Sequence, residues 1–365
     1  MLDFTSALYL GLRHASASLD SWCALTLGRP AAVQEPPGAE PVAADLARMQ
    51  GCEAATLLPS TLHLFRDLFR MLATAQTAIV VDAGAYPIAR WGAETGVAQG
   101  ALLRSFRHFD VDALELLVRR LVKVGRRVIV VCDGYCIGCA SAAPVRAYAD
   151  IVGRAGGLLV LDDTQALGIL GHTPTCKRPY GLQGSGSLSW HRANEPHVIV
   201  GSSLAKAFGA PLAVLAANDR LIQRFTAQSE VRQHCSPPSV AAISAARRAL
   251  EVNYHRGDAL RSHLVELVKQ LRNALSKLGL QACGAIPFPV QSFVIRRNPG
   301  VELLQQRLQQ RLLERGIRAL ETRACDGVSV RLTFLVTALH RLMDIDAIED
   351  ACAQILSARI STLVL

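Results

Sequence analysis

Between about Ala43 and Asn218 the chain alternates short, uninterrupted apolar runs with longer helix-like segments, and that alternation leaves few folds open. The runs are Ala55–Leu58, Ala78–Asp82, Ala101–Phe106, Arg127–Asp133, Leu158–Asp162, Val198–Gly201 and Leu212–Ala216. Most are continuous rather than alternating, which is what strands covered on both faces look like. Helical patterns such as Val111–Val124 and Pro144–Arg154 lie between them. The prediction is an α/β unit, a mostly parallel seven-stranded sheet with helices on both faces, over residues 43–237.

After Pro237 the character changes. Helices are expected at Val240–Val252, Asp258–Leu278, Val301–Arg315 and Met343–Ala358, with strands at Gln291–Ile295 and Val328–Phe334. This predicts a smaller α+β domain over residues 238–365. Ala31–Ala44, rich in Pro, Ala and Glu, is expected to be a connecting loop, and residues 1–42 a segment packing with the small domain. A chain of 365 residues, half of them hydrophobic, can bury cores of this extent.

Several classes are disfavoured. The net charge of +9 is dispersed, with no Lys/Arg run interleaved with aromatics, so nucleic acid is not an expected partner. No apolar run approaches the length needed to span a bilayer. The opening Met1-Leu2-Asp3-Phe4 has an early acid and no basic n-region, so a cytoplasmic protein is expected. The ten cysteines sit mostly in apolar stretches, and no disulfides are expected.

In a parallel α/β sheet, ligands bind beyond the carboxyl ends of the strands. Ser60-Thr61, Gly84-Ala85-Tyr86, Asp133-Gly134-Tyr135, Asp162-Asp163-Thr164-Gln165 and Gly201–Lys206 follow successive strands. Hydroxyls, acids, an aromatic ring and a lysine thus gather on one edge, a set suited to a phosphorylated aromatic cofactor. Lys206 is one of only five lysines in a chain that prefers arginine, and it lies between apolar residues just past a buried strand. Its amine can lose a proton and attack a carbonyl, which a guanidinium cannot do. A solvated loop lysine is the bland alternative.

Asp162 ends the apolar run Leu158–Leu161, where a carboxylate must be paired to be tolerated. Against a pyridine nitrogen it would keep pyridoxal phosphate protonated and electron-withdrawing. A helix N-cap is the competing reading, and Asp163 is the better candidate for that role.

The motifs resemble those of the α-oxoamine synthases, fold-type I pyridoxal-phosphate enzymes. The resemblance runs over nearly the whole chain: Asp3–Leu12, Phe106–Asp110, Leu161–Gly168, Gly201–Gly209, and Arg331-Leu332-Thr333 through His340, in the family's order. It implies that Lys206 is the Schiff-base lysine and Asp162 the partner of the pyridine nitrogen. It also implies that Ser203, Ser60 and Thr61 hold the phosphate, the last two at a helix start. Tyr86 stands where the family stacks a histidine on the cofactor ring, and Gln165 where it keeps a histidine near the phenolic oxygen. Arg331 falls on the clamp for the substrate carboxylate. Ala7 replaces an asparagine that helps to hold substrate. The resemblance further implies a homodimer in which Arg232–Pro238 reaches the partner's site. The implied reaction is decarboxylative condensation of an amino acid with an acyl-CoA, with Lys206 as base. Transamination, decarboxylation and a non-catalytic relative stay open.

Cys132, Cys136 and Cys139 have the spacing C-x3-C-x2-C used for iron–sulfur clusters. Cys132 lies inside a strand and is expected to point into the core. A zinc site lacks a convincing fourth ligand in sequence, so no metal is expected. His108 is expected to be structural, without a partner in sequence, and Trp91 and Trp190 to serve packing.

Overall fold

The computed structural model describes residues 1–295, 301–325 and 327–360; the rest of the span expected to form the small domain lies outside the described residues. In chain order, strand β1 (Leu2–Asp3) and helix α1 (Ala39–Gln50) precede β2 (Ala54–Leu58), α2 (Thr61–Leu72), β3 (Thr77–Asp82), α3 (Pro87–Val97) and β4 (Leu102–Phe106). Next come α4 (Val111–Lys123), β5 (Arg127–Asp133), the short β6 (Tyr135–Cys136) and β7 (Ser141–Ala142), α5 (Val145–Arg154) and β8 (Leu158–Asp162). They are followed by α6 (Ser187–His191), β9 (Val198–Ser203), β10 (Ala213–Ala217), α7 (Asp219–Gln228) and α8 (Glu230–His234). The chain continues through α9 (Val240–Lys277), β11 (Leu280–Ala282), β12 (Val290–Ile295) and α10 (Val301–Glu314). It closes with β13 (Ile317–Arg318), β14 (Leu320–Arg323), β15 (Val330–Leu335) and α11 (Leu342–Ile360).

Seven strands form the central sheet in the order β2-β10-β9-β8-β5-β3-β4, and only β10 runs antiparallel to its neighbours. The continuous apolar runs are explained by two separate cores. Ile79, Val81, Ile129 and Val131 enter the one built with α2 and α3, while Ala78, Val80, Val128 and Val130 enter the one built with α4 and α5. Successive side chains point to opposite faces, so a strand buried on both sides must be apolar at every position. Cys132 lies in the second core, fully buried.

A four-stranded antiparallel sheet, β11-β12-β15-β14, forms the second layer system. The amino-terminal residues pack beside it: β1 and β13 form a separate parallel pair, the Leu335 N–H at the end of β15 donates to the Phe4 carbonyl at 2.8 Å, and the Phe4 ring stacks on His340 with centroids 4.0 Å apart. No helix among the described residues is long and apolar enough to cross a membrane.

Three expectations are corrected. The predicted break near Gly257 does not exist; Val240–Lys277 is one helix of 38 residues. Its polar stretch is a docking face, with Asn253 donating to the Gln183 carbonyl at 2.9 Å and Arg261 to the Gly168 carbonyl at 2.9 Å. A side chain at Gly257 would collide with Asn253 and Arg261, so the glycine makes room for this contact. The proposed loop Ala31–Ala44 ends early, because α1 starts at Ala39 after Gly38 turns the chain with φ of 79°. Trp91 is only half covered on α3, whereas the partly buried Trp190 donates to the Pro179 carbonyl.

Candidate functional site

Four strands deliver polar side chains to one edge of the sheet. β3 ends in Asp82, β5 in Asp133, β8 in Asp162 and β9 in Ser203, and Asp133 lies in register beside Asp162. Beyond this edge opens a cavity of about 600 Å³ lined by Thr61, Tyr86, Asp162, Gln165, Ser203 and Lys206 among others. Six residues expected at the cofactor site therefore share one pocket.

The floor is tightly specified. Asp162 accepts the Thr164 N–H at 3.0 Å, and the Thr164 hydroxyl accepts the Ser203 N–H at 3.0 Å, tying the ends of β8 and β9 together. Burial raises the Asp162 carboxyl above its ordinary value, opposed by the Thr164 hydrogen bonds and the nearby Lys206 charge. Burial also lowers the Lys206 ammonium, opposed by Asp162 and Asp133. Both groups are thus strained toward neutrality by desolvation, the condition under which a lysine becomes a nucleophile.

Ser60 is placed differently from its neighbour. It is the N-cap of α2, its hydroxyl accepting the His63 N–H and lying 2.8 Å from His63 Nδ1, while Thr61 faces the pocket at the first turn. Tyr86 stands half exposed at the rim and donates its N–H to both Asp133 oxygens, at 3.0 and 3.1 Å. Gln165 accepts the Tyr9 hydroxyl at 2.6 Å, so the amino-terminal segment reaches the pocket. Arg331 does not line the cavity. Its NH1 donates at 2.6 Å to the carbonyl of Gly138, a pocket residue, and Arg323 from the neighbouring strand lines the cavity instead. Asp163 begins no helix of its own; its carboxylate accepts the Ser187 N–H at the start of α6. Gly134 has no side chain because one would strike Asp163 and Ser187. Arg232 is turned inward, bonding Thr56 at 3.0 Å and Glu35 at 2.6 Å.

Asp133, named in sequence only among the strand-end residues, and Tyr9, which lies behind the pocket, gain their roles from the structure. Asp133 carries the same signal as Asp162, an acid closing an apolar strand, and burial with the adjacent Asp162 charge raises its carboxyl well above the ordinary value. Tyr9 sits in the opening motif, but its reach to Gln165 needs the folded chain.

A buried acid, an amine under desolvation, and hydroxyl and amide donors beside a helix start fit the nitrogen, the aldehyde and the phosphate of pyridoxal 5′-phosphate. Comparison with known proteins agrees. The chain is 31% identical over 264 residues to 8-amino-7-oxononanoate synthase of Sodalis glossinidius (strain morsitans), covering 71% of this chain and 62% of that one. It is 29% identical over 269 residues to the synthase of that name from Nitrosococcus oceani, covering 72% and 65%. The chain thus spans less than two thirds of the length of these relatives. Among solved structures, serine palmitoyltransferase of Sphingomonas wittichii superposes with a TM-score of 0.84 at 16% identity, over 98% of this chain and 87% of that one. The 8-amino-7-oxononanoate synthase of Francisella tularensis gives 0.73 at 18% identity, over 100% and 99%. These likenesses agree with the α-oxoamine synthase resemblance and share the fold-type I architecture. The profile of one family, aminotransferase class I and II, matches residues 36–341, and the chain belongs to that family.

Proposed function

We propose that the chain is a pyridoxal-phosphate-dependent transferase that condenses an amino acid with an acyl thioester, an acyl-CoA, with loss of carbon dioxide. The observation that carries this reading is the joint placement of Lys206 and Asp162, both desolvated, in one pocket at the carboxyl edge of the sheet.

Lys206, Asp162, Ser203, Thr61, Gln165 and Tyr86 would hold the cofactor, with Ser60 shaping the helix start behind Thr61. Bound there, pyridoxal phosphate supplies a ring that withdraws electrons from the α-carbon of the amino acid. Lys206 Nζ, whose ammonium burial disfavours, takes and returns the proton at that carbon. Asp162 would face the ring nitrogen and pair with its proton, with the Thr164 N–H fixing the orientation of the carboxyl. With its oxygen engaged by Tyr9, Gln165 offers its amide N–H groups to the pocket. Arg323, which lines the cavity, is the cation placed to meet the substrate carboxylate, and Arg331 supports that wall from behind through the Gly138 carbonyl. A homodimer is part of the proposal: α2 and α3 pack together and leave Leu62, Trp91 and Val97 exposed.

The test has two stages. Borohydride reduction of the protein as purified should fix pyridoxal onto the peptide carrying Lys206. Incubation with an amino acid and acyl-CoAs should then release free thiol and carbon dioxide together. Label on another residue refutes the cofactor assignment. Amino-group exchange without thiol release would favour transamination, which Tyr86 and Gln165 suit, because neither supplies an imidazole.

A further inference from the structure

Beside the cofactor pocket, but outside the set of residues given a role above, four side chains from distant parts of the chain converge. His108, Cys136, Cys139 and Cys325 place one ligating atom each within 4.8 Å of one another. His108 Nε2 lies 3.3 Å from Cys139 Sγ, and Cys136 Sγ lies 3.2 Å from Cys325 Sγ. The fourth ligand that the sequence did not supply is thus present, and so is a histidine partner. Cys132, the third cysteine of the C-x3-C-x2-C spacing, takes no part.

We propose that His108, Cys136, Cys139 and Cys325 bind one zinc ion as a closed, structural site that ties the β14–β15 hairpin to the loop between β5 and α5. A tetrahedral zinc with three thiolates and an imidazole holds its ligand atoms roughly 3.6–3.8 Å apart, so the four need only small adjustments to enclose an ion. The cage is too small for an iron–sulfur cluster, whose several iron and sulfide atoms would have to fit inside it.

The surroundings are built for a metal. His108 Nδ1 lies 2.5 Å from Asp82 Oδ1, and Asp82 is buried and held by the N–H groups of Gly84 at 2.8 Å and Phe109 at 3.1 Å. A proton on Nδ1 shared with this carboxylate leaves the Nε2 lone pair for the ion, the usual outer support of a metal-bound histidine. Any side chain at Gly84 would run into the His108 ring. Four protein ligands leave no open position, so the ion would be structural rather than catalytic. A second link runs alongside, from Arg331 on β15 to the Gly138 carbonyl. The site therefore fixes the wall of the pocket that Cys136, Gly138, Ala324 and Cys325 form, whatever reaction the pocket performs.

The test uses the full chain as purified, without a polyhistidine tag or chelator and with thiols kept reduced. About one zinc per chain should survive gel filtration. After the zinc is stripped with a chelator, titration with Co²⁺ should give intense tetrahedral ligand-field bands and sulfur-to-cobalt charge transfer, saturating at one equivalent. Cys325→Ser should weaken zinc retention at least about tenfold, as should His108→Gln. The cobalt titration needs no variant, so a misfolded mutant leaves the question decidable. Weak octahedral cobalt bands, no stoichiometric metal in the reduced protein, a Cys136–Cys325 disulfide in the isolated chain, or a brown iron chromophore would each overturn the proposal.

Discussion

Asp133 and Asp162 stand side by side, paired in register at the carboxyl ends of adjacent parallel strands and facing the same cavity. Burial, and then the charge of the adjacent Asp162, make Asp133 hard to ionise. Asp162→Asn removes that charge and leaves the burial. Asp133 should then ionise at lower pH, read as its carboxyl stretch in an infrared titration of the two proteins, and an unmoved titration would show that the Asp162 charge does not reach Asp133.

Lys206→Ala removes the amine whose charged form burial disfavours. Turnover should fall by about 10²–10⁴-fold, the usual worth of a positioned proton-transfer group. The variant should also lose its borohydride-fixed label. Retention of full activity would sink the assignment of Lys206.

Tyr9→Phe deletes the hydroxyl that Gln165 accepts at 2.6 Å and leaves the ring packed against Phe288. The lost hydrogen bond is worth about 1 kcal/mol, or roughly fivefold in kcat. Chemical denaturation of the variant should separate this local effect from a fall in stability. A Gln165→Leu change, which removes the acceptor, should then lose its sensitivity to Tyr9.

Arg261→Ala leaves the Gly168 carbonyl and the Asn253 side-chain oxygen without their buried donor. The cost should be about 2 kcal/mol, seen as a lower denaturant midpoint with an unchanged slope. A shift no larger than that of Lys277→Ala, an exposed pair at the end of the same helix, would contradict the docking role.

Burial pushes the Asp163 carboxyl from 3.8 up to about 7. The folded chain therefore keeps this proton while the unfolded chain has already released it. The contribution is fully present below about pH 3.8 and is lost as pH rises to about 7. Asp163→Asn still accepts the Ser187 N–H and should remove this slope. Thermal midpoints measured across that range should show the variant gaining on the wild type as pH rises.

The central sheet was legible because strands buried on both faces admit almost nothing but apolar residues, and each element end was found within a few positions. Lys206, Asp162, Gln165 and Ser203 were legible for the same reason, since each follows a strand end that the sheet must bring to one edge. What escaped depends on contacts across the chain. Gly257 looks like a helix breaker until Arg261 and Asn253 are seen to need the space. Cys325 lies in a polar turn with no local signal, and its meaning comes only from Cys136, far away in sequence. Arg331, placed by motif on a substrate carboxylate, has already committed one nitrogen to Gly138.

The pairing of Leu2–Asp3 with Ile317–Arg318 sets an order of events during synthesis. Leu2–Asp3 must wait until Ile317–Arg318 have emerged before their strand can form. Until then Phe4 has no His340 to stack on, and the segment carrying Tyr9 is not anchored beside Gln165. The central sheet can assemble early from its own neighbouring strands, whereas the support that Tyr9 gives to Gln165 comes only once β13 has emerged. Pairings this distant in sequence are slow to form. A nascent chain stalled before residue 317 should therefore present a finished sheet and an open pocket, sensitive to protease within its first dozen residues.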